Sequence, residues 1–176
     1  MTLLPPSPKD SLNLPGGMTL FPGQDKAIDQ LLGDLNEKCP AQFVMLAHTS
    51  GQIISVQGER GTADLVALGS LVAGDMAASQ EIARLTEQYQ NYQMILREGA
   101  QTNAFITEAG QHTVLFVRVN KDVPLGWARL LIQETSRQLA DVIAAQPEEL
   151  QMLDLGLTEE KISSLVGDDL DSIWKG

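Results

Sequence analysis

The sequence predicts an α+β domain in which a five-stranded antiparallel sheet carries helices on its faces, in the order α-β-β-α-β-β-β-α. Short β-prone apolar runs are separated by Ser-Gly and Ala-Gly turn signals, which join strands as hairpins. Three longer segments carry apolar residues at helical spacing and are long enough to cover a sheet. At 176 residues, 43% hydrophobic and 20% charged, the chain suits one globular domain plus tails.

The segment 1–22 holds five of the eight prolines and the Gly16-Gly17 pair, so it reads as a flexible arm. The domain is expected over 23–146. Its first helix places Ala27, Ile28, Leu31, Leu32 and Leu35 on one face and stops at Cys39-Pro40. Phe43 to Thr49 and Ile53 to Val56 form a hairpin about Ser50-Gly51. Asp64 can cap a helix to about Thr86, with Leu65, Leu68, Val72 and Met76 as its buried stripe. Strands follow at Gln93 to Glu98, Ala104 to Glu108 and His112 to Val119. The last helix starts at Pro124-Leu125, with Ala128, Leu131, Ile132, Thr135, Leu139, Val142 and Ile143 turned inward.

The segment 147–176 is an acidic tail with eight acids against two lysines, a net of −6 out of −11 for the chain. Thr158 can cap a short amphipathic helix with Ile162, Leu165 and Val166 on one edge. Asp168 or Asp169 can then cap one more turn that gathers Leu170, Ile173 and Trp174. Such a tail is either a solvated charge run or a docking peptide, and Trp174 favours docking.

With 23 acids against 12 Lys and Arg, the chain lacks the clustered cations that nucleic acid or an anionic membrane would require. No apolar run reaches the ~18 residues of a spanning helix, and prolines interrupt the amino-terminal segment. Cys39 has no partner for an internal disulfide. These features lead us to expect a soluble cytoplasmic protein without membrane insertion. His48 and His112 have no acid or cysteine at metal-ligand spacing and read as half-exposed strand residues. Gly58 to Thr62 lacks the Gly-Lys-Ser/Thr ending of a phosphate loop and reads as a polar turn. No catalytic residues, metal or cofactor are expected.

The second helix is unusual. Ser70, Ala73, Gly74, Ala77 and Ala78 lie opposite its apolar stripe, with Gly69 close by. Interior glycines cost about 1 kcal/mol each relative to alanine, so something approaches this helix closely. That neighbour is either the domain's own sheet or a partner protein.

The run from Leu68-Gly69-Ser70 to Asp75-Met76-Ala77-Ala78 resembles the second helix of the roadblock-domain family. Arg97-Glu98-Gly99, Glu108-Ala109-Gly110, Pro124-Leu125-Gly126 and the closing Asp168-Asp169-Leu170-Asp171-Ser172-Ile173-Trp174 continue the resemblance in order. It is greatest to the bacterial MglB branch. The resemblance implies a profilin- or longin-like roadblock fold, and a homodimer whose sheets join across a two-fold axis. It further implies a regulator of a Ras-like small GTPase of the MglA type. Such a regulator promotes GTP hydrolysis by selecting a competent GTPase conformation, without an arginine finger, and acts in cell polarity and motility with enrichment at a cell pole. Ser70, Ala73, Gly74, Ala77, Ala78 and Glu81 would face the partner. Asp168, Asp169, Leu170, Ile173 and Trp174 would make a second contact that influences nucleotide exchange. Glu81 stands where relatives usually keep a small residue. The rivals are a roadblock scaffold that tethers without activating, and a PAS-like sensory module, which would need a roomy interior pocket.

Overall fold

Proline at the first position of a helix needs no hydrogen-bond donor there, and Pro22 opens α1 (Pro22–Lys38) in that way. The computed structural model describes residues 11–86 and 94–145. The chain divides into two units, Met1–Ala144 and Ala145–Gly176, and all but the first residue of the second lies outside the described residues. The helix expected at Thr158 therefore lies outside them too.

The later half of the segment expected to be a flexible arm is folded. Strands β1 (Leu12–Asn13) and β2 (Thr19–Leu20) pair antiparallel across a 3-10 turn at Pro15–Gly17. Leu14 and Leu20 are buried, and Leu12 and Met18 pack beside them. Four apolar residues within a proline-rich stretch outweigh its composition. The packed domain thus begins before Gly23.

Gln24 ties the start of α1 to the end of the last helix. Its side-chain oxygen accepts from Phe21 N–H at 3.0 Å, and its amide donates to Val142 O at 3.0 Å and Ile143 O at 3.2 Å. These bonds satisfy carbonyls that a helix end would otherwise leave unpaired. Ile28, Leu32 and Leu35 form the buried face of α1.

The main sheet consists of β3 (Ala41–His48), β4 (Ile53–Gly58), β5 (Met94–Glu98), β6 (Thr102–Glu108) and β7 (Thr113–Asn120). Its order is β4-β3-β7-β6-β5, antiparallel throughout, which matches the expected architecture. Two helices cover one face and one covers the other. On the first face Val44, Val117, Phe105 and Leu96 line up across four strands, beneath α1 and α3 (Leu125–Ala144). On the second, the row Val56, Met45, Phe116, Ile106 and Ile95 crosses all five strands, against Val72 and Met76 of α2 (Leu65–Leu85). Asp64 Oδ1 caps α2 by accepting from Val66 N at 3.1 Å and Ala67 N at 3.2 Å.

A helix is ~10 Å across, whereas five strands spaced ~4.8 Å apart make a sheet more than twice as wide. A single helix cannot close the second face. Ile95, Ala104, Phe116 and Arg118 remain only half-buried there.

Both histidines differ from expectation. His48, at the end of β3, is buried, because the β6–β7 turn folds over it. His112 lies in that turn with φ 59°, outside the strand, and is exposed.

Candidate functional site

A helix that packs on a sheet ordinarily turns its charged residues to water. From Leu65 to Gln80, α2 has one charged residue, Asp75. Asp75 is bound by Arg97 of β5 at 2.7 Å. The outward side of α2 is apolar instead. Val66 (74% exposed), Leu71 (71%), Ile82 (62%) and Leu85 (67%) stand in solvent. Among them lie Ser70, Gly74, Ala77, Ala78 and Glu81, all exposed. The Ser70 hydroxyl bonds back to Val66 O at 3.0 Å, so it is engaged with its own helix.

Ala73 departs from the expected placement. It is 5% exposed, on the side of α2 turned into the protein, and is not available to a partner in this chain. At about 100° per residue it falls at the edge of the buried arc, about 40° beyond Gly69, whereas Gly74 falls at the centre of the exposed side.

The two helix glycines serve different neighbours. A Cβ on Gly69 would lie 2.5 Å from the Gly51 carbonyl oxygen of the β3–β4 turn, so packing inside the domain accounts for it. A Cβ on Gly74 would meet nothing within 4 Å. Nothing in the domain itself calls for glycine at position 74.

Beside α2, a groove of about 490 Å³ runs over the incompletely covered strands. Leu68, Leu71, Val72 and Asp75 form its wall, and Phe116, Ile106 and Arg97 its floor. Beyond Arg97 the strand register continues to Ala104, then to Arg118, whose guanidinium lies over the Phe43 ring. At the far end of α2, Arg84 grips Glu81 with two bonds, Nε to Oε2 at 2.8 Å and Nη2 to Oε1 at 2.5 Å. That grip holds the Glu81 carboxyl below its ordinary value.

Val66, Leu71, Ile82 and Leu85 escaped the sequence reading, which followed small residues. The signal was present, because these residues complete the same helical arc as Ser70, Gly74 and Ala78. Asp168, Asp169, Leu170, Ile173 and Trp174 lie outside the described residues.

Among the described residues no three His, Cys, Asp or Glu side chains converge to hold a metal ion, and no helix is long and apolar enough to cross a membrane. Cys39 is fully buried at the end of α1, and burial pushes its thiol pKa up, which disfavours the reactive thiolate. The site offers a surface for contact and no constellation for bond-making.

No protein-family model matches the chain, and no curated protein matches it by sequence. Solved structures do. The chain is similar to Myxococcus xanthus MglB, at 30% identity and a TM-score of 0.62, over 66% of this chain and 94% of that one. It is also similar to the gliding protein MglB of Thermus thermophilus, at 24% identity and a TM-score of 0.64, over 70% of this chain and 93% of that one. A structure described as MglB with tetrameric arrangement matches at 22% identity and a TM-score of 0.64, over 74% of this chain and 95% of that one. The five-stranded sheet, its three helices and this similarity together place the chain in the roadblock-domain family, close to MglB.

Proposed function

We propose that this protein is a homodimeric regulator of a small Ras-like GTPase of the MglA type. It stimulates GTP hydrolysis and contributes no catalytic residue of its own. The observation that carries this reading is the outward side of α2, which exposes Val66, Leu71, Ile82 and Leu85 and whose only outward charges are the paired Glu81 and Arg84. Apolar surface of this kind marks a protein-binding site. Ser70, Gly74, Ala77 and Ala78 make a flat strip that lets a switch segment of the GTPase approach the backbone.

The mode of activation follows from what the surface lacks. An arginine finger needs a free guanidinium that reaches the transferring phosphate. On this side of α2, Arg84 is held by Glu81, and Arg97, at the adjoining groove, by Asp75. The regulator therefore works by binding the hydrolysis-competent GTPase more tightly than its alternatives, which shifts the population towards the reactive arrangement. A hundredfold shift requires about 2.7 kcal/mol of differential binding.

The dimer uses the other incomplete feature of the fold. Strand β5 is an edge of the sheet, and its residues Met94, Ile95 and Leu96 are only half-buried. An edge strand presents unpaired backbone groups to a second strand. Pairing β5 with its symmetry mate extends the sheet and brings a second α2 beside the groove. The acidic tail, through Asp168, Asp169, Leu170, Ile173 and Trp174, supplies a further contact with the GTPase and an influence on nucleotide exchange.

Single-turnover GTP hydrolysis by the cognate GTPase, with and without this protein, tests the reading. Stimulation that Ala77→Arg abolishes in a folded dimer is the expected result. Binding without stimulation would replace activation by tethering. A chain ending at Ala145 that activates fully but changes nucleotide exchange would assign the tail its separate role, and Trp174→Ala should reproduce that change.

A further inference from the structure

The β3–β4 turn is anchored by a backbone hydrogen bond that His48 can accept only while neutral. His48 is 5% exposed. Its Nδ1 accepts the Ser50 backbone N–H at 3.1 Å and lies 2.8 Å from Ser50 Oγ. A ring nitrogen that accepts a backbone proton leaves the ring's own proton on Nε2, and that buried atom has no hydrogen-bond partner. Bonds from His48 N to Gln52 O, Gly51 N to His48 O and Thr49 N to His112 O complete the turn. A second proton on the ring would sit on Nδ1, facing the Ser50 N–H; it would remove that backbone bond and leave only a donation to the Ser50 hydroxyl.

The same turn touches α2 backbone to backbone. A Cβ on Gly51, where φ is 92°, would lie 2.8 Å from Ser70 Oγ and 2.9 Å from Ser70 Cα. Together with the approach of Gly69 to the Gly51 carbonyl, this makes the turn a wedge under the second turn of α2. The turn cannot move without moving the helix.

We propose that the Thr49–Gly51 turn is an acid-opened latch, in which protonation of His48 releases the turn and loosens the N-terminal half of α2. Burial and the neighbouring His112, whose ring centroid is 6.0 Å away, both hold His48 below the ordinary imidazole pKa. The other charged groups at this end of the sheet are committed elsewhere. Glu108 of β6 is bonded by Gln80 of α2, and Arg137 of α3 is paired with Glu134 and Asp141. With the closed-state value lowered, the open state binds the extra proton. Opening is therefore nearly independent of pH above about 6.5 and rises below it, by at most about tenfold at pH 5.5.

Amide hydrogen exchange of the full chain at pH 7.5 and 5.5, read by NMR and corrected for intrinsic rates, tests this. Protection of Ser50, Gly51 and residues 69–72 should fall at the lower pH, by at most about tenfold, relative to the amides of β6. In His48→Asn, whose side-chain oxygen can accept from Ser50 without titrating, that difference should vanish. In His112→Gln, where loss of the second imidazole lets the closed-state value rise towards the open-state one, the pH response should shrink. An unchanged pH response in His48→Asn overturns the latch. Should His48→Asn not fold, titration of the His48 ring in the parent chain decides: a midpoint below the ordinary imidazole value with loss of α2 protection on acidification supports the latch, and a midpoint at or above that value overturns it. No GTPase takes part, so this outcome is separate from that of the function proposed above.

Discussion

The helices on the two faces of the sheet differ in what they show to water. On one face, α3 buries Ala128, Ile132 and Leu139, and along the second half of its outer side it carries Glu134, Arg137 and Asp141, paired among themselves. On the other face, α2 buries Val72 and Met76 yet also exposes Val66, Leu71, Ile82 and Leu85. The second half of α3 is finished as a surface helix, though its first half exposes Trp127 and Leu130, whereas α2 exposes large apolar residues from Val66 to Leu85 with one outward ion pair, Glu81–Arg84. Its own sheet covers one side of α2. Among the described residues nothing covers the other side. Burial of one side tells how a helix folds, and the composition of the remaining side tells whether it has further work.

The largest test of that contrast removes core from the finished face. Ile132→Ala, which empties a fully buried site under α3, should cost about 2–5 kcal/mol in urea unfolding. Gly69→Ala drives a methyl group into the Gly51 carbonyl and should cost about 1–3 kcal/mol. Gln24→Ala leaves the Val142 and Ile143 carbonyls without their amide partner and should also cost about 1–3 kcal/mol. Gly74→Ala makes the same chemical change as Gly69→Ala, five residues further along the same helix. It should instead raise stability by about 1 kcal/mol, because open space surrounds that position. Leu71→Ser should change monomer stability least, by under about 0.5 kcal/mol, while weakening association measured by light scattering. If Gly69→Ala and Gly74→Ala shift stability alike, the assignment of two different neighbours to α2 fails.

Most of the architecture could be read from local pattern. The strands follow turn chemistry at Ser50-Gly51 and Ala109-Gly110, and the Asp64 cap lies one residue before its helix. What escaped was decided by contacts distant in sequence. Gly69 is small because of a carbonyl at residue 51, and Ala73 is buried at the edge of the inward arc of α2. Neither fact has a local signature. The β1–β2 hairpin was hidden by the prolines around it, although Leu12, Leu14, Met18 and Leu20 were present to be buried. In the candidate site the small residues stood out by composition. The large exposed ones did not, because an apolar residue in a helix reads as core until its position on the cylinder is known.

The Gln24 side chain has a geometric corollary. By bonding residue 24 to residues 142 and 143, it brings the start of α1 and the end of α3 to one corner. That corner belongs to the α1–α3 layer, on the opposite side of the sheet from α2. A molecule immobilised through that corner would present α2 to the solution, where a second protein can reach it.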